Sequence, residues 1–205
     1  SVPFRSPQQD FSQVVDLSHG FEEAYAQWSR GHVNAVNKAR RAGVVVEPAT
    51  SRAEWETHYE LYLELRRKWV DPHGRPYSWR LFQKLHDIQS RGVTLWVARL
   101  GGDIVSSTIC LEWNGHVAAW HGAVSSAKLP VRPNHFMYYE IIRNTAERGA
   151  RWFDFNPSGG IGGVVSFKKH FGTLKLQSRV LRKFSPFLRC RLCIGEAIAG
   201  RKRRR

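Results

Sequence analysis

The segment FDFNPSGGIGGVVSFKKHFG, at residues 153–172, is the most informative stretch of the chain. An apolar strand ends on polar residues, a glycine-rich turn follows, and a short helix with two lysines continues from the turn. Glycines let the backbone approach a ligand closely and leave its N–H groups accessible. Lys168 adds a positive charge on a mobile side chain just beyond the turn. The combination favours a site for an oxyanion or a phosphate over a packed core.

The sequence on either side of this segment predicts a mixed α/β fold of the α+β type. Apolar alternation and turn residues predict strands at residues 44–46, 93–100, 103–113, 116–124, 151–155 and 173–184. Amphipathic spacing and capping residues predict helices at residues 20–41, 51–70, 78–91, 134–148 and 164–170, and Pro186 is placed to begin another. Residues 1–18 show no regular pattern. After the first helix, the order β-α-α-β-β-β-α-β-α-β predicts a mixed, mostly antiparallel central sheet flanked by helices.

The charge of the chain indicates an anionic partner. Its 205 residues carry a formal net charge of +15, which fits nucleic acid, a phosphorylated substrate or acidic lipid. Nine basic residues and one acidic residue lie between Arg182 and Arg205, among scattered apolar side chains. This tail is either a disordered basic segment or a peripheral contact with anionic lipid at the inner face of the plasma membrane.

The sequence argues against a disulfide scaffold, a metal site and a membrane-spanning segment. Cys110, Cys190 and Cys193 are too few for a disulfide scaffold and indicate a reducing compartment. The pair at Cys190 and Cys193 lacks the second pair that a structural zinc needs, and no H-x-x-x-H spacing occurs, so we expect no metal. Without a spanning apolar segment or a signal-peptide core, we expect a cytoplasmic protein.

Three stretches resemble the GNAT acyltransferases, and in particular their FemAB-type branch, which includes the peptidoglycan peptide-bridge aminoacyltransferases. Residues 16–44 are similar to the linker that enters the second domain of that family, and residues 133–149 are similar to its central helix. Residues 153–172 resemble its D-F-G-type strand end and its F-K-x-x-F-G element. The resemblance covers most of residues 14–175.

This resemblance implies an N-acyltransferase that forms an amide bond. The expected reaction is aminoacyl transfer from an aminoacyl-tRNA to the peptide of a lipid-linked peptidoglycan precursor, with no tightly bound cofactor. Bridge-forming members are similar to two tandem GNAT domains, whereas this chain has room for one and a fragment. We therefore expect an N-terminal segment and linker helix left from a preceding domain (1–42), a GNAT-like domain (43–184) and a basic tail (185–205).

The start of the predicted central helix distinguishes between acyl donors. Acetyl-CoA users carry an Arg/Gln-x-x-Gly-x-Gly/Ala signature there, and counting from Arg132 places His135 and Met137 at the glycine positions. Those side chains would crowd a coenzyme A cradle, which favours aminoacyl-tRNA. Two alternatives stay open. One is an acyl-CoA-dependent N-acyltransferase in polysaccharide or amino-sugar modification, and the other is a non-catalytic RNA- or membrane-binding module on the same scaffold.

Acyl transfer to an amine requires a proton acceptor, stabilisation of the carbonyl oxygen and fixed reactants. Lys168, which matches the lysine of the F-K-x-x-F-G element, is the candidate for electrostatic stabilisation. Asp154 either orients Lys168 or a substrate amine, or caps the turn through its own backbone. His121, late in a central strand, is either a base or a satisfied core histidine, and Glu112 is an alternative base.

The candidate substrate-binding residues cluster at the two helix starts. Arg132 and the amides of the helix from Asn134 either form an anion site, which is favoured on physical grounds, or belong to a capped surface helix. Phe167 either packs in the core or lines an acyl or adenosine channel, and Tyr138 and Tyr139 face either a groove or the sheet. The full set is Phe167, Arg132, Asn134, His135, Tyr138, Tyr139, Asn156, Ser158, Gly159 and Gly160.

Overall fold

The computed structural model describes residues 8–68, 76–89 and 92–180. The strands in these ranges are β1 (Gln8–Asp16), β2 (Val45–Pro48), β3 (Val93–Leu100), β4 (Asp103–Trp113), β5 (His116–Val124), β6 (Trp152–Pro157) and β7 (Leu174–Val180). The helices are α1 (Phe21–Ala26), α2 (Arg30–Arg41), α3 (Arg52–Lys68), α4 (Trp79–Asp87), α5 (Pro133–Glu147) and α6 (Gly162–Lys169), with a 3-10 helix at Ser126–Val131.

The strands form one sheet in the order β2-β3-β4-β5-β6-β1-β7. The pairs β2–β3, β3–β4, β4–β5 and β6–β1 are antiparallel, and β5–β6 is parallel. Asn114 and Gly115 both have positive φ, as a tight hairpin between β4 and β5 requires. The crossover through α5 makes β6 run parallel to β5. The predicted mixed, mostly antiparallel sheet flanked by helices is confirmed.

The prediction that residues 1–18 are irregular is wrong, because β1 covers Gln8–Asp16 and pairs with β6. Four consecutive residues of β1, from Ser12 to Val15, are buried, and the register shifts between Ser12 and Val14. A strand that is covered on both faces and interrupted by a bulge does not show the alternation of a half-buried strand. The sequence pattern therefore does not predict β1, which lies between β6 and β7 in the sheet.

The helix predicted at residues 20–41 is two helices. The chain leaves α1 after Ala26 and begins α2 at Arg30, where the Ser29 hydroxyl accepts a hydrogen bond from His32 N at 3.3 Å. Ser29 is therefore an N-cap inside what the sequence indicated was a single helix. At α3, Ser51 and Glu54 have the sequence spacing that predicts a capping box, and its reciprocal half is present, since Glu54 Oε2 accepts from Ser51 N at 2.7 Å and from Ser51 Oγ at 2.8 Å.

Helices cover both faces of the sheet. On one face α1, α2 and α5 pack around Phe153, Phe155 and Ile141, all nearly inaccessible to solvent. On the other face α3 and α4 enclose Trp55 and Phe82, which are fully buried. No helix in the described part of the chain is long and apolar enough to span a bilayer.

Two compact units can be distinguished in the chain. Ser12–Lys175 forms the larger one and contains every candidate site residue, and the described residues 8–11 and 176–180 belong to the smaller one. The basic tail at 185–205, with the cysteine pair and the helix predicted from Pro186, lies outside the described residues, as do residues 71–74, whose Asp-Pro-His-Gly sequence predicts a turn. The domain division at residues 43 and 185 stays a prediction.

Replacing a buried valine of β1 tests whether this strand belongs to the core. Val14 is 1% exposed, whereas Val45 on β2 is 56% exposed. Val14→Ala should lower the free energy of unfolding by about 2 kcal/mol, because it removes buried methyl groups and leaves a cavity. Val45→Ala, the matched control, should change it by less than about 0.5 kcal/mol. Equal effects in urea denaturation would contradict the assignment of β1.

Candidate active site

The parallel strands β5 and β6 pair only at their beginnings. Their register joins His116, Val117 and Ala118 to Trp152, Phe153 and Asp154. One side-chain bond follows, in which Asn156 Nδ2 donates to Ala119 O at 2.8 Å. Beyond it β5 continues to Val124 paired with β4, with no further pairing to β6 among the described residues. The carboxyl half of β5 thus presents backbone groups toward the end of β6, where a ligand can pair with them.

Asn156 lies just after the point where the pairing of β6 with β5 ends. Its φ is +59°, a left-handed conformation that asparagine tolerates better than most residues. Its N–H donates to Asp154 Oδ1 at 2.6 Å, and its carbonyl accepts from Lys168 Nζ at 2.6 Å. The backbone at the end of β6 is therefore fixed by one carboxylate and one ammonium.

Lys168 is buried at the end of β6 and is not a solvated helix lysine. It is 7% exposed, and its ammonium also lies 3.4 Å from Pro157 O. A buried ammonium is tolerated only with polar partners, and carbonyl oxygens supply them here. In a site of low dielectric constant, this charge acts more strongly on a nearby anion than it would in water.

The glycine turn between β6 and α6 contains backbone N–H groups that donate to no backbone carbonyl of the described residues, and we call these groups bare amides. Gly159 and Gly160 have positive φ, and a Cβ on either of them, or on Gly162 or Gly163, would meet no atom within 4 Å. The turn and helix bonds in this region use the amides of Ile161, Val164 and Val165. Among the described residues, no backbone acceptor pairs with the N–H groups of these four glycines.

Buried side chains from β1 and α2 hold α6 in place. Gln13 Nε2 donates to Val165 O at 3.1 Å and to Thr173 Oγ1 at 3.2 Å, and Gln13 Oε1 accepts from Ser158 Oγ at 3.4 Å. His32 Nε2 bonds to Phe167 O at 3.1 Å and must be the donor, since a carbonyl only accepts. Gln13 and His32 were missed by sequence reasoning, because both lie more than 130 positions from their partners.

Gly172, the last residue of the F-K-x-x-F-G element, is required by packing. Its φ is +70°, and a Cβ there would lie 2.6 Å from Gln27 Cβ. Gly172 therefore lets the chain pass closely against the end of α1, and it carries no evidence of ligand contact.

The start of α5 is filled by side chains. Pro133 has no N–H, and His135 N bonds to Arg132 O at 3.1 Å. The side chain of Asn134 turns toward β4 and hydrogen-bonds with Ser106 Oγ. The ring of His135 packs 5.2 Å from that of Phe167, and its buried Nδ1 has no partner among the described residues. The predicted anion site at Arg132 thus has fewer available amides than an open helix N-terminus.

Asp154 lies near the end of β6, between the backbone of Asn156 and the side chain of His116 on β5. Besides capping Asn156 N, its Oδ2 lies 3.4 Å from His116 Nε2. The contact with the backbone of Asn156 is the turn-capping arrangement. Glu112, the alternative base, pairs with Arg148 and lies next to the β4–β5 hairpin, away from α6.

The aromatic candidates separate into two groups. Tyr138 faces the sheet, with its ring 5.0 Å from Phe155 and 6.1 Å from Phe167, and burial raises its pKa to about 12. Tyr139 instead packs against α1, 5.0 Å from Phe21, with the guanidinium of Arg40 over its ring. The structure therefore brings Tyr138 and Phe167 together and leaves Tyr139 apart.

His121 lies on the face that α3 and α4 cover, opposite Phe167. The register shift between Ile109 and Cys110 is a bulge beside it. His121 Nδ1 is 3.1 Å from Nε2 of the fully buried His58, whose Nδ1 is 2.7 Å from Ser107 Oγ. His58 and Ser107 carry no sequence signal of this contact, because the fold alone brings α3, β4 and β5 together.

Burial keeps several histidines neutral. It lowers the pKa of His32, His121 and His135 to about 4 and that of His58 to about 3. Among the described residues no group of three His, Cys, Asp or Glu side chains is arranged to hold a metal ion.

The family of the chain follows from a comparison with known domains. The model of the acetyltransferase (GNAT) domain matches residues 29–169, more than half of the sequence, and the chain belongs to this family. No curated protein matches the chain at a significant level.

Solved structures share the fold. FemX has a TM-score of 0.70 and 15% identity, over 80% of this chain and 59% of FemX. L-PGS from Bacillus licheniformis has a TM-score of 0.58 and 13% identity, over 97% of this chain and 68% of that protein. The C-terminal domain of a putative lysylphosphatidylglycerol synthetase from Agrobacterium fabrum has a TM-score of 0.59 and 13% identity, over 85% and 60%. The chain thus spans less than two thirds of FemX, and at these identities the likeness shows the fold.

The neutral histidines predict a dependence of stability on pH. Their folded pKa values of about 3 to 4 lie below the ordinary value of 6.5, so between pH 6.5 and 4 the unfolded chain binds more protons than the folded one. The free energy of unfolding therefore rises with pH across this window, and the stabilisation is lost as pH falls through it. Urea midpoints should be constant above pH 6.5 and should fall steadily below it.

High salt provides the control for this prediction. It screens general repulsion between the positive charges of the chain, and the fall of the midpoint should persist. A midpoint that does not change between pH 6.5 and 4 would contradict the burial of these imidazoles.

Proposed function

We propose that this GNAT domain forms amide bonds by aminoacyl transfer from an aminoacyl-tRNA to an amine of a peptidoglycan precursor peptide. The observation that carries the choice of donor is the filled start of α5. His135 and Met137 stand at the positions where acetyl-CoA users carry glycines, and the ring of His135 packs against Phe167. Pro133 and the side chain of Asn134, which bonds with Ser106, precede them at the start of the helix. A donor that is bound elsewhere through its phosphates or ribose does not need that cradle.

The glycine turn and Lys168 are the proposed donor side of the site. The four bare glycine amides and the ammonium lie at the same end of β6, and together they favour negative charge. When the acceptor nitrogen attacks the ester carbonyl, charge builds on the carbonyl oxygen, and preorganised N–H groups and a buried cation stabilise it. The net charge of +15 also favours a polyanion such as tRNA.

Lys168 acts in this proposal in two ways. Its bonds to Asn156 O and Pro157 O set the shape of the turn, and its charge contributes to the field at the carbonyl carbon of the donor. His121 is the proposed base, on the acceptor side of the sheet. The gap between β5 and β6 joins the two sides in this scheme, so that the acceptor amine meets the donor there.

The choice of an aminoacyl donor has support from the similar structures. One of them is the domain of a putative lysylphosphatidylglycerol synthetase, whose name denotes a lysyl group joined to a lipid. The acceptor is proposed from the FemAB-type elements at residues 133–149 and 153–172.

Removing the charge of Lys168 should abolish most of the activity. Lys168→Met should lower the rate of amide formation by about 100-fold or more, because it removes a transition-state charge and releases the turn. Lys169→Met is the matched control, since Lys169 is the exposed neighbour on the same helix. Circular dichroism establishes that both variants are folded at the assay temperature. Unchanged amide formation by Lys168→Met would contradict this role.

Binding of the two donors should differ. Isothermal titration with an aminoacyl-tRNA should give measurable affinity that weakens as salt rises, and titration with acetyl-CoA should give none in the micromolar range. Low-micromolar binding of acetyl-CoA would overturn the choice of donor in favour of an acyl-CoA-dependent N-acyltransferase. A wild-type protein that binds RNA and forms no amide with any donor would indicate a non-catalytic binding module.

A further inference from the structure

Three side chains from separate elements form a hydrogen-bonded series, which we call the histidine relay: Ser107 on β4, His58 on α3 and His121 on β5. The relay distances are 2.7 Å from Ser107 Oγ to His58 Nδ1 and 3.1 Å from His58 Nε2 to His121 Nδ1. Ser107 and His58 are both 0% exposed. Burying an imidazole costs free energy unless both of its nitrogens are bonded, and here both are.

The relay constrains which nitrogens carry protons. Between two neutral imidazoles only one nitrogen of the contact holds the hydrogen. If His121 Nδ1–H donates to His58 Nε2, then His58 Nδ1–H donates to Ser107 Oγ, and His121 Nε2 is left with a lone pair. If the direction is reversed, His121 Nε2 carries the hydrogen and cannot accept a proton. A serine hydroxyl can either accept or donate, so both directions are geometrically allowed.

At the His121 end of the relay, the imidazole ring contacts three aromatic side chains, which we call the aromatic wall. The ring of His121 lies 4.6 Å from that of Tyr62, 5.4 Å from Trp120 and 6.2 Å from Tyr77. Tyr77 is 48% exposed, so this wall reaches the surface. Within the described residues, no hydrogen bond engages His121 Nε2. Aromatic faces attract cations, which fits an acceptor that arrives as an ammonium ion.

The described groups that face His121 from the helices are an imidazole and aromatic rings. From α3 they are His58 and Tyr62, from the residues before α4 Tyr77, and from α4 the ring of Phe82. No carboxylate is among these contacts. The only bonded partner that can fix the tautomer of His121 in the described part of the chain is therefore His58.

We propose that His58, held by Ser107, is a positioning residue that keeps His121 in the Nδ1–H tautomer, so that His121 Nε2 takes the proton of the acceptor amine. This inference rests on the proposed amide-forming function. The acceptor enters the step as a neutral amine, its ammonium proton having passed to water. In the step, the new N–C bond forms, the ester C–O bond breaks and one amine proton moves to His121 Nε2. The same nitrogen returns a proton to the departing hydroxyl group. His58 accepts the Nδ1–H bond throughout and thereby stabilises the transient imidazolium, as the orienting group of a catalytic triad does.

Nuclear magnetic resonance of the resting protein tests the tautomer without any assay of activity. Long-range ¹H–¹⁵N spectra distinguish a protonated from an unprotonated ring nitrogen. Wild-type His121 should show Nδ1–H and a bare Nε2, and His58→Phe, which keeps a ring of similar size, should shift His121 toward Nε2–H. His58→Gln is the second variant if the first does not fold. An Nε2–H tautomer in the wild type would overturn this inference whatever the activity.

Single-turnover kinetics tests the consequence. His58→Phe should lower the rate of amide formation about 10- to 100-fold with little change in the apparent affinity for the acceptor, as expected for loss of an acid–base contribution. His121→Phe combined with His58→Phe should be no slower than His121→Phe alone, because the two residues act as a unit. His86→Phe, on α4 and outside the relay, is the control and should match the wild type.

The outcomes separate the two proposals. Wild-type rates for His58→Phe, with a slow His121→Phe and an inactive Lys168→Met, would overturn the relay and leave the proposed function standing. A wild-type protein that forms no amide with any donor would overturn both.

Discussion

The bond from Lys168 Nζ to Asn156 O is the contact on which the candidate site depends. It fixes Asn156, just after the pairing of β6 with β5 ends, and this residue is also bound by Asp154 and to Ala119 of β5. Because the Lys168 ammonium is buried, moving it away from Asn156 O would break its hydrogen bonds or require the whole of α6 to move into water. The turn of bare amides between β6 and α6 is therefore held from both ends, and its shape is set before any ligand binds. Such preorganisation is what electrostatic catalysis requires.

The sheet divides the site into two sides with different chemistry. On the α5 side are the glycine amides, Lys168 and an aromatic core around Phe167. On the α3 and α4 side is the histidine relay with its aromatic wall. Parallel strands that stop pairing at Ala118 and Asp154 provide the opening between these sides. A donor that carries negative charge and an acceptor that carries positive charge would thus each meet a matching surface.

Local sequence patterns predicted the part of the fold that depends on local chemistry. The Asn114-Gly115 hairpin, the Ser51 and Glu54 capping box, the central helix and the glycine turn all follow from residues close together in sequence. The strand β1 was missed, because a bulge and burial on both faces remove its alternation, and the break at Ser29 was missed, because the apolar spacing continues across it. His58, Ser107 and Gln13 could not be found from one sequence, since their partners are brought to them only by the tertiary fold. Lys168 was found through its motif, and only the structure shows that it is buried.

Chemical-shift mapping of the glycine amides shows directly whether the acyl donor binds at the end of β6. An aminoacyl-adenosine that mimics the 3′ end of an aminoacyl-tRNA can be titrated into ¹⁵N-labelled protein. If the donor binds there, the largest amide shifts should occur at Gly159, Gly160, Gly162 and Gly163. Lys168→Met should abolish these shifts, and Lys169→Met should not. Shifts confined to other parts of the sheet, with these four amides unmoved at saturation, would contradict an acyl-donor site at the end of β6.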